Sequence, residues 1–190
     1  MSDDAATRPT MSELVRLEAA DRAENRQVAA GTADYARLRE RDADRRRQVR
    51  RFLGDGGELS PAERYAAAWI LNHGDTVDDF AKAHDLAVIA AGNGVREARW
   101  LAAAALDRGL MHRGLPQRFG TNFVPDGTRY RLWDLDPATT DADRMAWDVP
   151  PLAVLQRRAD EATATTPQPS NLDDAPGWLK AAIVRWRAPA

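Results

Sequence analysis

Five stretches of helical periodicity, separated by glycine-containing breaks, occupy most of the chain before residue 113. In each stretch apolar residues recur three and four positions apart, which is the spacing that lines one face of an α-helix. The clearest helix start is Ser60-Pro61-Ala62-Glu63, where Ser60 can cap the helix, Pro61 suits its first turn and Glu63 completes a capping box. The predicted helices cover residues 12–28, 33–53, 61–73, 77–91 and 95–112. The predicted fold class is mainly α, a single helical bundle.

The pattern changes after Gly114. Residues 122–135 alternate loosely in polarity around Pro125-Asp126-Gly127, which predicts a small β-hairpin inserted after the fifth helix. Residues 140–147 are expected to form a helical turn. Pro150-Pro151 then opens a helix that should end near residue 162.

We expect the chain to divide into four parts. These are a disordered N-terminus at 1–10, a single helical domain at 11–162, a linker at 163–177 and a C-terminal amphipathic helix or tail at 178–190. The terminal helix carries Trp178, Ile183 and Trp186, which could dock on the chain's own core or on a second subunit. Docking on its own core is the default expectation, and a homodimer stays open.

The composition excludes several classes of protein. The chain has 190 residues and no cysteine, so disulfides and cysteine-based nucleophiles or metal sites are excluded. The formal net charge of −2 gives no overall field that would attract nucleic acid or an anionic membrane. No apolar run is long enough to span a bilayer and the acidic N-terminus lacks a signal core, so we expect a cytoplasmic protein. Abundant arginine beside only two lysines is typical of a GC-rich bacterial genome.

Each of the five predicted helices carries an ionisable or amide side chain on its apolar face. These residues are Asp21 and Asn25, then Asp42 with Arg45 or Arg46, then His73, His84 and Asp107. Leaving a buried polar group unpaired costs about 1–3 kcal/mol, so such residues persist when they have partners. They indicate either a satisfied structural network or the lining of a polar pocket between helices.

The same residues carry a resemblance to a known family. The chain has a histidine after the third helix, His73, then the pair Asp107-Arg108, then the loop Gly114-Leu115-Pro116-Gln117-Arg118-Phe119-Gly120-Thr121. With the early Asp21-x-x-x-x-Arg26 element, this arrangement resembles a bacterial family known as domain of unknown function 6624. The resemblance covers about residues 11–160.

Two segments resemble the actinobacterial branch of that family. They are Ala83-His84-Asp85-Leu86-Ala87 and the run from Ala98 to Ala103. The chain departs from the family at Asn122, where a glutamine is usual, so the amide is kept on a shorter side chain. The resemblance implies no reaction, but it implies that the polar helix residues and the loop belong to one site.

General acid–base chemistry on a small-molecule ligand is the function that these residue types favour. Imidazole is suited to proton transfer near neutral pH, and a carboxylate can fix its orientation. We therefore expect His73, His84 and Asp107 to be catalytic. The substrate-binding candidates are Arg108, Gln117, Thr121, Asn122, Asp21 and Arg26. We expect one solvent-reachable pocket to be lined by His73, His84, Asp107, Arg108, Gln117 and Thr121. We expect the protein to act in bacterial specialised metabolism.

Other functions are less consistent with the sequence. His73, His84 and Asp107 could form a two-histidine, one-carboxylate metal set, but no Glu-x-x-His or His-Glu-x-x-His motif is present, so we expect no metal and no cofactor. The basic run at 45–51 has acidic neighbours and no interleaved aromatic residue, which favours a solvated helix face over nucleic-acid binding. His112 is expected to be exposed at a helix end. The alternative function is a non-catalytic interaction module whose polar core is structural.

Overall fold

Helices form most of the computed structural model, which describes residues 12–29, 35–54, 56, 58–169, 171–173 and 175–188. In chain order the elements are α1 (Glu13–Ala29), α2 (Tyr35–Gly54), α3 (Pro61–Asn72), α4 (Val77–Gly92), α5 (Ala98–His112), β1 (Phe123–Pro125), β2 (Tyr130–Leu132), α6 (Asp141–Ala146), α7 (Leu152–Thr165) and α8 (Gly177–Arg187). The predicted helical bundle with a small hairpin after the fifth helix is confirmed. The N-terminus predicted to be disordered, residues 1–10, lies outside the described residues.

Side chains that accept backbone hydrogen bonds set the starts of α3 and α4. Ser60 accepts from the backbone N–H of Glu63 and the Glu63 carboxylate accepts from that of Ser60, which is the predicted capping box. Thr76 caps α4 by accepting from the amide of Asp79. The fifth helix starts at Ala98 instead of the predicted residue 95. The reason is that Gly94, at φ 95°, continues the turn that ends α4, and Val95 still donates to the carbonyl of Ala90.

The centre of the bundle consists of α3, α4 and α5, with α4 packed against both others. Alanines on all three helices are fully buried at these contacts, and α5 buries Ala102 to Ala105 in succession. Small side chains let the helix axes approach closely. Because α5 lies at this central contact, it carries apolar residues on nearly every side. None of the helices described is both long and apolar enough to cross a membrane.

The hairpin and the C-terminal helix close one end of the bundle. Strands β1 and β2 are antiparallel, with Phe123 opposite Leu132. Helix α8 packs on the chain's own core, where Trp133 contacts Trp178 and Trp186 at ring distances of 5.4 and 5.3 Å. The expected linker starts later than predicted, because α7 continues to Thr165 and Thr163 Oγ1 accepts a hydrogen bond from the amide of Tyr130.

Candidate functional site

A cleft of about 500 Å³ opens at the C-terminal end of α3. Its walls come from α1, α2, the end of α5, the hairpin and the start of α8. The polar side chains along it are Asn25, Arg39, Asp42, His73, Asp75, Arg108, His112 and Asn122. Its apolar lining is Leu38, Met111, Phe123, Pro176 and Trp178. A cavity of this size and mixed polarity is typical of small-molecule sites.

His73 ends α3 and faces both this cleft and a buried carboxylate. Its Nδ1 atom lies 2.9 Å from Oδ2 of Asp21, although the angle lies outside hydrogen-bond geometry. Trp69 Nε1 donates to the same oxygen at 2.8 Å, and Asn25 Nδ2 donates to it at 3.2 Å. Asp21 is 1% exposed, so it acts on a ligand only through its neighbours. The imidazole is therefore held between a fixed carboxylate and the open cleft.

Asp21 and Asp42 form a carboxyl pair that shares one guanidinium. Arg45 Nη1 lies 3.4 Å from Asp21 Oδ1 and 3.1 Å from Asp42 Oδ1. Burial raises the pKa of Asp21, but the close contact and charge of His73, together with the hydrogen bond from Trp69, outweigh it and hold that pKa below its ordinary value. Burial, and then the hydrogen bond and charge of Asp21, raise the pKa of Asp42. Asp42, which lines the cleft, is thus the member of the pair that keeps a proton longer.

Three arginines fix the backbone around His73. Arg46 and Arg39 donate to the His73 carbonyl at 2.9 and 3.2 Å, and Arg108 donates to the carbonyl of Asn72. The last carbonyls of a helix lack intrahelical partners and carry partial negative charge, so guanidinium groups stabilise them. Asp75 pairs with both Arg39 and Arg46. Sequence analysis missed Arg39 and Asp75, although Arg39 shares a helix face with Asp42 and Arg46.

The far wall of the cleft contains Arg108, Asn122 and His112. Arg108 Nη2 donates to Asn122 Oδ1 at 3.4 Å. The His112 ring lies 4.6 Å from Phe80 and 4.8 Å from Trp178, and burial, followed by the charge of Arg108, lowers its pKa. The expectation that His112 is exposed is wrong, because α8 covers the end of α5.

Asp107, Gln117 and Thr121 hold the loop after α5 and do not line the cleft. The fully buried Asp107 carboxylate accepts from the amides of Arg118, Phe119 and Thr121 and from the Thr121 hydroxyl, at 2.7 to 3.0 Å. Burial raises the pKa of Asp107, and these four hydrogen bonds oppose that rise. Gln117 binds both backbone groups of Asn122. The single predicted pocket is therefore wrong for these residues, whose polar atoms are occupied within the loop.

His84 and Arg26 lie away from the cleft. His84 lines a separate cavity of about 140 Å³ between α4 and α5, with Nδ1 2.9 Å from the carbonyl oxygen of Ala102. It is the eighth residue of α4, so it lies about 10 Å along the helix from the turn that follows His73. Arg26 is exposed on α1. Of the nine site residues expected from the sequence, His73, Arg108 and Asn122 line the cleft, and Asp21 lies directly behind His73.

The basic run on α2 is largely occupied by ion pairs. Arg45 and Arg46 are buried against carboxylates, and Arg50 pairs with Asp79. The expectation of a solvated face is therefore wrong for Arg45 and Arg46. Among the residues that the structure describes, no group of three or more histidine, aspartate or glutamate side chains is arranged to hold a metal ion.

Comparisons of the chain with protein-family models, with curated proteins and with solved structures gave no match.

Proposed function

We propose that the protein binds a small polar molecule in this cleft and carries out acid–base chemistry on it. The observation that carries the proposal is the placement of His73, with its ring between the cleft and the buried carboxylate of Asp21. An imidazole oriented by a carboxylate is a common proton-transfer device, because the carboxylate stabilises the imidazolium that forms.

The roles follow from the surroundings of each group. His73 takes a proton from the ligand, and Asp21 positions the ring and stabilises its charge. Asp42 has a raised pKa and lines the same cleft, so it donates a proton. Arg108 and Asn122 lie on the opposite wall and bind an oxygen of the ligand.

The shape of the cleft indicates the kind of ligand. Its polar side chains come from α1, α2, α3, α5 and the hairpin, and Met111, Phe123 and Trp178 add apolar surface. A molecule with hydrogen-bonding groups and a flat apolar part fits this mixed lining. We propose that such a molecule belongs to bacterial specialised metabolism and that the protein acts in the cytoplasm.

Membership of the domain of unknown function 6624 family is also a proposal. It is supported by the contacts of Asp107, whose carboxylate binds the loop that contains Gly120 and Thr121. The Asp-Arg pair and the Gly-Thr loop of that pattern thus have a physical reason to occur together.

A second candidate function is a non-catalytic interaction module with a structural polar core. It is favoured by Asp107, Gln117 and Thr121, which are bonded to the chain itself. The two candidates differ in what His73 does, because a structural role requires no ligand in the cleft.

A metabolite screen by thermal unfolding tests the proposal. At a concentration about 100 times its Kd, a ligand should stabilise the native protein by about 2.7 kcal/mol. We expect that stabilisation to disappear in His73→Gln and in Asp42→Asn. The matched control is His84→Gln, which changes a histidine outside the cleft and should respond as the wild type does. A screen without a ligand, or a ligand that His73→Gln binds equally well, would favour the interaction module.

A further inference from the structure

A further cavity lies between the turn of the hairpin and the last turns of α8. It has a volume of about 340 Å³, and none of the described residues that line it also lines the candidate cleft. Three arginines line it, Arg129 and Arg131 from the hairpin and Arg187 from α8, together with the indole of Trp186. We refer to it as the arginine groove.

Positive charge exceeds negative charge in the arginine groove. Among the described residues that line it, Asp126 is the one carboxylate, against three guanidinium groups. Oδ1 of Asp126 is engaged within the turn, where it accepts from the amides of Thr128 and Arg129 at 2.8 and 2.9 Å and from the Thr128 hydroxyl at 2.7 Å. Its other oxygen lies 3.9 Å from Arg129 Nε, which is a weak contact. The groove thus keeps a net positive charge suited to an anion.

Arg131 lies against the indole of Trp186 and has one buried donor atom without a partner. Its guanidinium lies over the ring of Trp186, with Cζ 4.2 Å from the ring centroid. The Nε atom is buried and has no hydrogen-bond partner within the described structure. A guanidinium that lies over an aromatic ring still directs its N–H groups outward in its own plane, where they can bind oxygen atoms.

Arg187 is held in position before any ligand arrives. Its Nη2 atom donates to the carbonyl of Asp126 at 2.8 Å. A Cβ atom at Gly127 would lie 3.0 Å from Nη2, and Gly127 has φ 92°, so glycine both allows the turn and leaves room for Arg187. A donor that is already ordered loses less entropy on binding.

We propose that the arginine groove binds the phosphate or diphosphate group of a soluble small molecule. Arginine forks match pairs of phosphate oxygens, and three of them around one cavity suit a group with several negative charges. The site lies outside the cleft of the proposed function, and His73→Gln should leave it unchanged.

Calorimetric titration with inorganic pyrophosphate tests this site. We expect saturable binding to the full chain that is roughly tenfold weaker in Arg129→Gln and in Arg131→Gln, because each loses a charge-assisted hydrogen bond. Arg129 is 59% exposed, so Arg129→Gln should fold normally even if Arg131→Gln does not. The matched control is Arg157→Gln, which removes the same charge from the exposed face of α7.

Further titrations distinguish the sources of the phosphate. Tighter binding of adenosine diphosphate than of pyrophosphate would identify a nucleotide as the ligand, and equal binding would identify the diphosphate group alone; both support the site. Equal weakening by Arg157→Gln would mean general charge attraction and would overturn the proposal. So would the absence of binding by every soluble phosphate, or binding only to vesicles that contain phosphatidic acid.

Discussion

Asp107 and Asp42 are both buried carboxylates on helix faces that read as apolar, yet their surroundings differ. Asp107 accepts four hydrogen bonds from one loop and has no access to solvent. Asp42 shares Arg45 with Asp21 and lines the cleft, and burial raises its pKa as it raises that of Asp107. A carboxylate whose oxygens are fully engaged stabilises structure, whereas one that shares its partner at the edge of a cleft can exchange a proton.

Replacing Asp107 tests its structural role. We expect Asp107→Ala to lower the free energy of unfolding by about 3 kcal/mol or more, because it leaves three backbone amides and a hydroxyl without their acceptor. Denaturant unfolding measures this change. Asp160→Ala, on the exposed face of α7, is the control and should change it by less than about 0.5 kcal/mol. Similar values for the two variants would contradict the structural assignment.

Periodicity identified part of the site. It placed Asp21, Asp42 and His73 on inward faces, and these three meet. It grouped His84 with them incorrectly, because periodicity gives the face of a helix but not the height along it or the neighbour it meets. Gln117 and Thr121 were assigned to the pocket because a sequence does not show where loop amides point.

The elements differ in how far the sequence determines them. Capping residues fixed the starts of α3 and α4 as expected, and Asp126-Gly127 formed the hairpin turn. The extension of α7 depends on its contact with Tyr130 of β2, which no local pattern shows. Helix α8 has the largest consequence for the site, because Trp178 covers His112 and completes one wall of the cleft.

Removing that cover tests the placement of α8. Burial lowers the pKa of His112, so we expect its pKa to rise toward the ordinary value in Trp178→Ala, as water reaches the ring. In the wild type, the lowered pKa of His112 reduces the stability of the native state as pH falls, because the unfolded chain binds the proton more readily. Trp178→Ala should make this loss of stability smaller. Histidine NMR titration measures the pKa. Trp186→Ala is the control, because this tryptophan of the same helix makes its ring contact with Trp133. An equal shift in the pKa of His112 in that variant would contradict the proposed cover of His112 by Trp178.

Considered as a whole, the molecule assembles its cleft from distant parts of the chain. Residues between Asn25 and Trp178 contribute to it, and α1, α2, α3, α5, the hairpin and α8 each supply a side chain. The net charge of −2 gives no hint of this local grouping of arginines, histidines and carboxylates. The cleft therefore forms only when the complete bundle is folded.

Two of the three histidines, His73 and His112, line the cleft and His84 lines a different cavity, so their NMR resonances test the central claim most directly. During addition of a ligand selected by the metabolite screen, we expect the resonances of His73 and His112 to shift with one shared Kd. The resonances of His84, which lines the cavity between α4 and α5, should stay unchanged. A ligand that shifts His84 and leaves His73 unaffected would contradict the assignment of the cleft as the functional site.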